Sequence, residues 1–356
     1  MKIAILGNNL TSLVLAKILV NKSICVDLLS NFNEVNYPKS RTIGITNKNF
    51  EFFSNNILSI EKISWKIKNI KIYSENLPNQ KILEFQKKNS DIFYIIRNDQ
   101  IYKLLNVKLK TNKFFKKILV RRDNYKILEN YSLILNCDNN HIITKKFFSK
   151  KIEKRYDSLA HTAIINHKKI NNDEAIQIFT KTGPIAFLPI SKTKTSIVYS
   201  ASSNKLIDLG NLINKYNPKY SILQILDKKS FTLKSLNLRN YYFKNILCFG
   251  DLIHKIHPLA GQGFNMTIRD ISELSKIIDH KTELGLELDT SIFYEFEKTT
   301  KHKNFIFSQG IDLIYNFFNQ ERQFKGKLIS QSLKILGHNK YFNKIVSKFA
   351  DEGIIL

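Results

Sequence analysis

The stretch Gly250-Asp251-Leu252-Ile253-His254-Lys255-Ile256-His257-Pro258-Leu259-Ala260-Gly261-Gln262-Gly263-Phe264-Asn265 holds the residues whose types and order could do chemistry. Asp251 follows the apolar run Asn245-Ile246-Leu247-Cys248-Phe249 and reads as a carboxylate at a strand end, able to accept hydrogen bonds. Pro258 stiffens the loop by fixing its own φ. Gly261 and Gly263 lack a Cβ, so the backbone there can approach another group closely. After Gly263, the residues Phe264, Ile268, Ile271, Leu274 and Ile277 fall on one helical face. The start of such a helix aims unsatisfied N–H groups and a positive dipole end at the loop.

A second candidate lies at the other end of the chain, in Gly7-Asn8-Asn9-Leu10-Thr11-Ser12. In a dinucleotide-binding turn three glycines serve the tight turn, the approach to the pyrophosphate and the helix–strand packing. Here Gly7 holds the first place, while Asn9 and Ser12 hold the other two. Asn tolerates positive φ better than most residues, and Ser is small. A helix beginning here could still face a phosphate. The acid expected after the second strand is absent; Ser30 stands there, with Glu34 further on.

The elements that must position these turns can be read from periodicity. Residues 3–6 form a short apolar strand, residues 10–20 a buried helix and residues 24–29 a second strand, a β-α-β opening. Residues 67–73 alternate Ile67, Ile70 and Ile72 with Lys, which predicts a strand with one wet face. Residues 92–105 begin as a strand and turn helical near Arg97, and Leu133-Ile134-Leu135 is a short buried strand. From about 156 to 236 short β-like runs alternate with turns, which predicts a mostly antiparallel sheet. The stretch from about 291 is aromatic-rich and helical.

Bulk composition narrows the classes. The 356 residues are 43% hydrophobic and 24% charged, which fits a folded body of two interleaved domains. No run approaches the ~18–20 apolar residues of a membrane helix, and Met1–Leu6 enters a strand with no polar cleavage region, so a signal peptide is not expected. The formal net charge is +26, yet only eight of the 56 basic residues are Arg, and the Lys are scattered among Asn and Ile. That texture points first to codon bias, then to attraction by a membrane surface; nucleic acid is not an expected partner. Cys25, Cys137 and Cys248 are odd in number and suit neither zinc nor a CxxC motif, so buried free thiols in a reducing cytoplasm are expected.

The order of residues from Gly250 to Asp270 resembles the second FAD motif of the aromatic-ring hydroxylases, a GD strand end followed by HPxAGQG and a helix. Phe179-Thr180-Lys181-Thr182-Gly183-Pro184-Ile185-Ala186-Phe187-Leu188-Pro189 is similar to a segment of the ubiquinone-biosynthesis hydroxylases, the 2-octaprenyl-6-methoxyphenol hydroxylase type included. Arg41-Thr42-Ile43-Gly44-Ile45 and Ile95-Ile96-Arg97-Asn98-Asp99 are similar to the family's segments beside the isoalloxazine and beside the pyrophosphate. The family's Asp-Gly pair appears as Asp138-Asn139.

The resemblance implies a para-hydroxybenzoate-hydroxylase-like α/β fold. Its FAD domain would be discontinuous (1–65, 95–152 and 240–285), with a substrate domain of antiparallel sheet (66–94 and 153–239) and C-terminal helices (286–356). It implies FAD as cofactor, NAD(P)H as co-substrate, and hydroxylation of a polyprenylated phenol with O2 through a flavin C4a-hydroperoxide. The implied cofactor-binding residues are Gly7, Asn9, Ser12, Arg41, Arg97, Asp138, Gly250, Asp251, His257, Gly261, Gln262, Gly263 and Asn265. Pro258, Gly261 and Gln262 would form the loop on the flavin face, and Gly183 and Pro184 would meet the substrate. No metal is expected, because His254 and His257 lack a third ligand of suitable type nearby. His254 reads as a structural hydrogen-bonder. The aromatic tail residues Phe305, Phe307, Tyr315, Phe317 and Phe318 read first as core and second as a membrane-facing patch that would admit a polyprenyl chain. The expected location is the cytoplasm, with a peripheral seat on the inner face of the membrane beside other ubiquinone-synthesis proteins as an extension. Two other readings stand: a reductase or dehydrogenase of the same fold, and a non-catalytic, flavoprotein-like partner in a ubiquinone-synthesis assembly.

Overall fold

Strands buried on both faces need continuous apolar runs, and the first sheet has them. β1 (Lys2–Leu6), β2 (Cys25–Ser30) and β9 (Leu133–Asn136) are almost wholly buried. With β8 (Phe115–Leu119), β15 (Tyr242–Phe243) and β16 (Ile246–Cys248) they form a six-stranded sheet in the order β15-β16-β9-β1-β2-β8. It is parallel except for the β15–β16 hairpin. The computed structural model describes residues 2–323 apart from 33–34, 79, 87–90, 122–125, 203–206 and 258–260, and beyond 323 only residues 331 and 348.

Helix α1 (Leu10–Asn21) connects β1 to β2, and Leu13, Val14, Leu15 and Ala16 on successive faces are fully buried. It packs against α3 (Asn98–Lys110) and α6 (Gln262–Glu283). The parallel β1-α1-β2 unit is the opening that the sequence predicts. After β9 the short α4 (Ile142–Phe147) begins at His141, whose side chain accepts from Ile143 N–H.

A small antiparallel sheet holds β3 (Thr42–Thr46), β7 (Phe93–Arg97) and β4 (Ser64–Ile67), with α2 (Asn47–Asn56) after β3. The large sheet has eight strands in the order β17-β14-β10-β13-β12-β11-β5-β6. These are β5 (Asn69–Ser74), β6 (Lys81–Gln86), β10 (Lys151–His167), β11 (Glu174–Thr180), β12 (Gly183–Pro189), β13 (Lys194–Ser202), β14 (Ile222–Leu238) and β17 (His254–Lys255). All its pairings are antiparallel except β5 with β11. α5 (Leu209–Tyr216) closes a core of Ile165, Ile185, Phe187, Ile197 and Ile213 on this sheet.

Two expectations need correction. Residues 67–73 are not one strand with a wet face. The chain passes from the small sheet to the large one at Lys68, whose N–H donates to Asp173 O at 2.8 Å, and β5 lies between β6 and β11 with Asn69 to Tyr73 all half-buried. An interior strand covered in part on both sides cannot show the clean alternation of an exposed one. The long helix begins at Gln262 rather than after Gly263.

The last helix, α7 (Ser291–Gln323), divides the aromatic residues that the sequence grouped together. Phe307 and Ile311 join Phe179, Ile256 and Met266 in a buried cluster, with Tyr315 against it. Phe305 and Phe317 are exposed. The side chain of Phe318 and most of the stretch from 324 to 356 lie outside the described residues.

Candidate flavin site

Two helix starts follow the glycine turns that the sequence singles out, and that of α1 lies at the carboxyl end of β1, where ligands of open α/β sheets bind. At the first, β1 ends in Gly7 at φ 98, and a Cβ there would meet Asp138 N and Cβ at 3.3 Å. The close approach of β1 and β9 therefore needs a glycine. Asp138 N–H donates to Asn136 Oδ1, and Asp138 Oδ1 accepts from Asn140 N–H at 2.9 Å, which shapes the turn after β9 without the Gly of the Asp-Gly pair. Asn9 is at φ −99, so the positive φ it could tolerate is not what it supplies. It is the helix cap. Asn9 Oδ1 accepts from Ser12 N–H at 3.0 Å, and Ser12 Oγ accepts from Asn9 N–H at 2.8 Å, a complete capping box. Asn9 Nδ2 donates to Cys137 O at 2.7 Å and ties the cap to β9.

The second start is α6. Its cap, Gly261, is left-handed at φ 64 and makes no side-chain cap hydrogen bond. Gly261 lies against the backbone of Gly44 on β3; a Cβ on Gly261 would sit 3.4 Å from Gly44 N. Asn265 fixes this junction. Its Nδ2 donates to Gly44 O at 2.8 Å, and its Oδ1 accepts from Thr46 N–H and Asn49 Nδ2, both at 3.0 Å. Asn265 is fully buried, so each bond lies away from water. Gln262 is buried as well, and its Oε1 has no hydrogen-bond partner among the described residues. Gly263 is in the first turn of α6, where a Cβ would meet only Ile256 at 3.9 Å. Pro258, Leu259 and Ala260 lie outside the described residues.

Gly250 and Asp251 connect the two starts. β16 ends at Cys248, so the pair sits in a 3-10 turn rather than at the strand end itself. Gly250 is at φ 63 and presses on the first turn of α1; a Cβ would come within 2.8 Å of Thr11 Cγ2. Asp251 is exposed beside this contact. Burial chiefly, and then the Asp138 and Asp251 carboxylates, push the Cys137 thiol up, so both acids border the same turn. Cys137 and Cys248 are buried free thiols, whereas Cys25 is only partly buried.

The other predicted residues fall into separate settings. Arg97 closes β7 and holds Asp99 with two bonds, Nε to Oδ1 at 3.0 Å and an NH2 nitrogen to Oδ2 at 2.6 Å. Arg41 is exposed, with its guanidinium 5.9 Å from the ring centres of Tyr37 and Phe231. His257 is buried, stacked on Tyr315 at 4.2 Å and edge-on to Tyr156 at 5.0 Å. His254 is the structural hydrogen-bonder: its Nε2 is 2.5 Å from Asp270 Oδ2, and Asn304 Nδ2 donates to Asp270 Oδ1 at 2.8 Å. Gly183 opens β12 at φ 148; a Cβ would strike Ser200 O at 1.7 Å, while its neighbour Pro184 pairs with Phe179.

Several residues of this site were not singled out from the sequence. Thr11 and Gly44 lie inside segments already noted, and their roles come from the glycines that press on them. Tyr37 carries no local signal at all, yet its hydroxyl accepts from Leu10 N–H at the start of α1.

The geometry defines a class: a parallel nucleotide-binding sheet joined to a large antiparallel sheet, with a glycine-capped helix start between them. The FAD binding domain family matches residues 211–283. The chain is similar to the Dictyostelium discoideum mitochondrial ubiquinone biosynthesis monooxygenase COQ6, 24% identical over 221 residues, 50% of this chain and 45% of that protein. It is similar to the Escherichia coli 3-demethoxyubiquinol 3-hydroxylase, 29% identical over 157 residues, 41% of this chain and 40% of that protein. Each match thus spans less than half the length of the relative. In fold it is similar to a variant of Klebsiella pneumoniae HpxO complexed with FAD, with a TM-score of 0.77, 10% identity, and 99% of each chain covered. The chain has the para-hydroxybenzoate-hydroxylase-like fold. The sequence relatives named above are ubiquinone-biosynthesis hydroxylases, and the chain spans less than half the length of each.

The residues present fit FAD at the flavin end. A helix start without a side-chain cap, a glycine backbone at φ 64 and a buried, unpartnered Gln262 Oε1 form a cradle for a polar ring edge. At the pyrophosphate end the chain's own groups already engage the start of α1.

Proposed function

We propose that this protein is an FAD-dependent monooxygenase that hydroxylates a polyprenylated phenol in ubiquinone biosynthesis, using NAD(P)H and O2. The observation that carries this reading is the junction of Gly261, Gly44 and Asn265, which presents the bare start of α6 between the two sheets. When bound, FAD supplies the redox chemistry and the activation of oxygen. Gly261, Gln262, Gly263, His257 and Asn265 would hold the ring end, with Pro258 completing the loop. Gly7, Asn9, Ser12, Arg97, Asp138, Gly250 and Asp251 would hold the ribityl and phosphate end, and Arg41 would meet the cofactor from the small sheet. The α6 start would offer its positive end to the ring and favour negative charge there. The large sheet, with Gly183 and Pro184, would cover the substrate and exclude water from the reacting centre.

The isoprenoid tail needs an apolar path. The cleft of ≈ 260 Å³ between β10, β14 and α7 is a poor one, since Lys154, Asn237, Asp312 and Asn316 line it. Ile306, Leu313 and Phe317 are a better support for membrane contact, because they recur on one exposed face of α7 while the chain carries a net +26. No helix among the described residues is long and apolar enough to cross a membrane.

The purified protein should show a bound-flavin spectrum, and a polyprenylated phenol should stimulate both NAD(P)H oxidation and oxygen uptake. Reduction without substrate-stimulated oxygen use would sink the hydroxylase. A second reading, a non-catalytic partner in a ubiquinone-synthesis assembly, draws support from the occupied amides of α1. A protein that stays colourless after incubation with FAD would favour it.

A further inference from the structure

The first turn of a helix leaves about four N–H groups without intrahelical partners, and these are the donors that grip a phosphate. In α1, three amides at the start are engaged from within the chain. Asn9 N–H and Ser12 N–H belong to the capping box. Leu10 N–H donates to the Tyr37 hydroxyl at 3.1 Å. The first two bonds are local and follow from an Asn and a Ser three residues apart. The third is not local, because Tyr37 comes from the connection between β2 and β3, 27 residues away. Its ring leans on Tyr102, 5.3 Å between centres at 60°, and Arg41 lies over it at 5.9 Å. Burial chiefly raises the Tyr37 pKa; the Leu10 hydrogen bond and Arg41 oppose that, and Asp251 adds to it. The hydroxyl therefore sits as a neutral oxygen between the α1 start, Arg41 and Asp251.

We propose that Tyr37 is a displaceable stopper of the dinucleotide site: its hydroxyl holds the place of a phosphate oxygen on Leu10 N–H, and a dinucleotide loads by pushing it aside. This rests on the reading that the site takes FAD. A phosphate oxygen is a better partner for a helix start than a phenol, because it carries the negative charge that the dipole favours. It must first break the Tyr37 bond and move the ring from Tyr102. Arg41 is linked to this step, since its exposed guanidinium rests on the ring that moves and is free to follow it toward the anion. The stopper raises the ligand concentration needed for loading and spares the start of α1 an unsatisfied amide when no dinucleotide is bound.

Tyr37→Phe removes the hydroxyl and keeps the ring. Full-length protein freed of flavin is titrated with FAD, ADP and riboflavin, following flavin fluorescence for the flavins and calorimetry for ADP, with circular dichroism to verify the fold. Tyr37→Phe should bind FAD and ADP about three- to tenfold more tightly than the natural chain, the effect of removing one competing hydrogen bond. Riboflavin, which has no phosphate, should bind both proteins equally. Tighter FAD binding with unchanged riboflavin binding, or FAD binding by the variant alone, supports the stopper. Equal or weaker FAD binding by a folded Tyr37→Phe overturns the stopper and leaves the FAD site standing. An equal gain for riboflavin also overturns it, as a general loosening. If neither folded protein binds FAD, the flavin reading and the stopper fall together.

Discussion

The starts of α1 and α6 are built in opposite ways. α1 is capped by Asn9 and Ser12 and touched by Tyr37, so three of its first donors are engaged by the chain. α6 is capped by a left-handed glycine with no side chain to offer, and Asn265 secures it from the side rather than from the end. One helix start has been stabilised as a piece of fold, and the other has no side-chain cap among the described residues. A capping box is worth about 1 kcal/mol to a helix. A bare start forgoes that stabilisation, which is expected where a ligand is to take the place of the cap.

The difference can be broken most severely at α6. Gly261→Val places a β-branched residue at φ 64 against the Gly44 backbone. It should abolish flavin binding, seen as loss of the bound-flavin spectrum in protein that still folds. Asn265→Ala removes a buried side chain that makes three bonds of 3.0 Å or less, and should lower stability by roughly 2–4 kcal/mol in urea unfolding along with flavin content. An unchanged midpoint would mean that the α6–β3 junction is held by something else.

The exposed acid separates binding from folding. Asp251→Ala should leave the melting temperature within about a degree, since surface changes usually fall within ~0.5 kcal/mol. It should weaken FAD binding by about tenfold, the loss of one or two charge-assisted bonds. Flavin content equal to the natural chain would remove Asp251 from the site. The smallest effect is expected at α1, where Asn9→Gly gives up the side-chain cap and the bond to Cys137 O and costs about 1 kcal/mol. Because it also frees Ser12 N–H, FAD affinity should hold or rise, whereas a clear fall would show that the cap supports the cofactor.

The turn at Gly250 and the helix after Gly261 were legible in the sequence because their signals are local. The glycines and the apolar period after Gly263 act within a few residues of one another, and the helix begins one residue before Gly263. The β-α-β opening was legible for the same reason, with apolar runs in β1 and β2 and a buried helix between. The strand expected over 67–73 was misread, because its apolar alternation continues across the point where the chain changes sheets. At Asn9 the sequence raised positive φ where the structure uses a cap, although Asn followed three residues later by Ser is itself a helix-start pattern.

By itself, then, the sequence determined the two turns, which of them carries the glycines, which family they resemble, and the residues of the local cap on α1. Tertiary structure alone decided which distant groups reach the two helix starts. Tyr37 reaches Leu10 across 27 residues, Asn265 reaches Gly44 across 221, and Gly250 presses on Thr11 from the turn after β16. Such contacts are set by strand order and packing rather than by neighbours along the chain, so no local pattern encodes them.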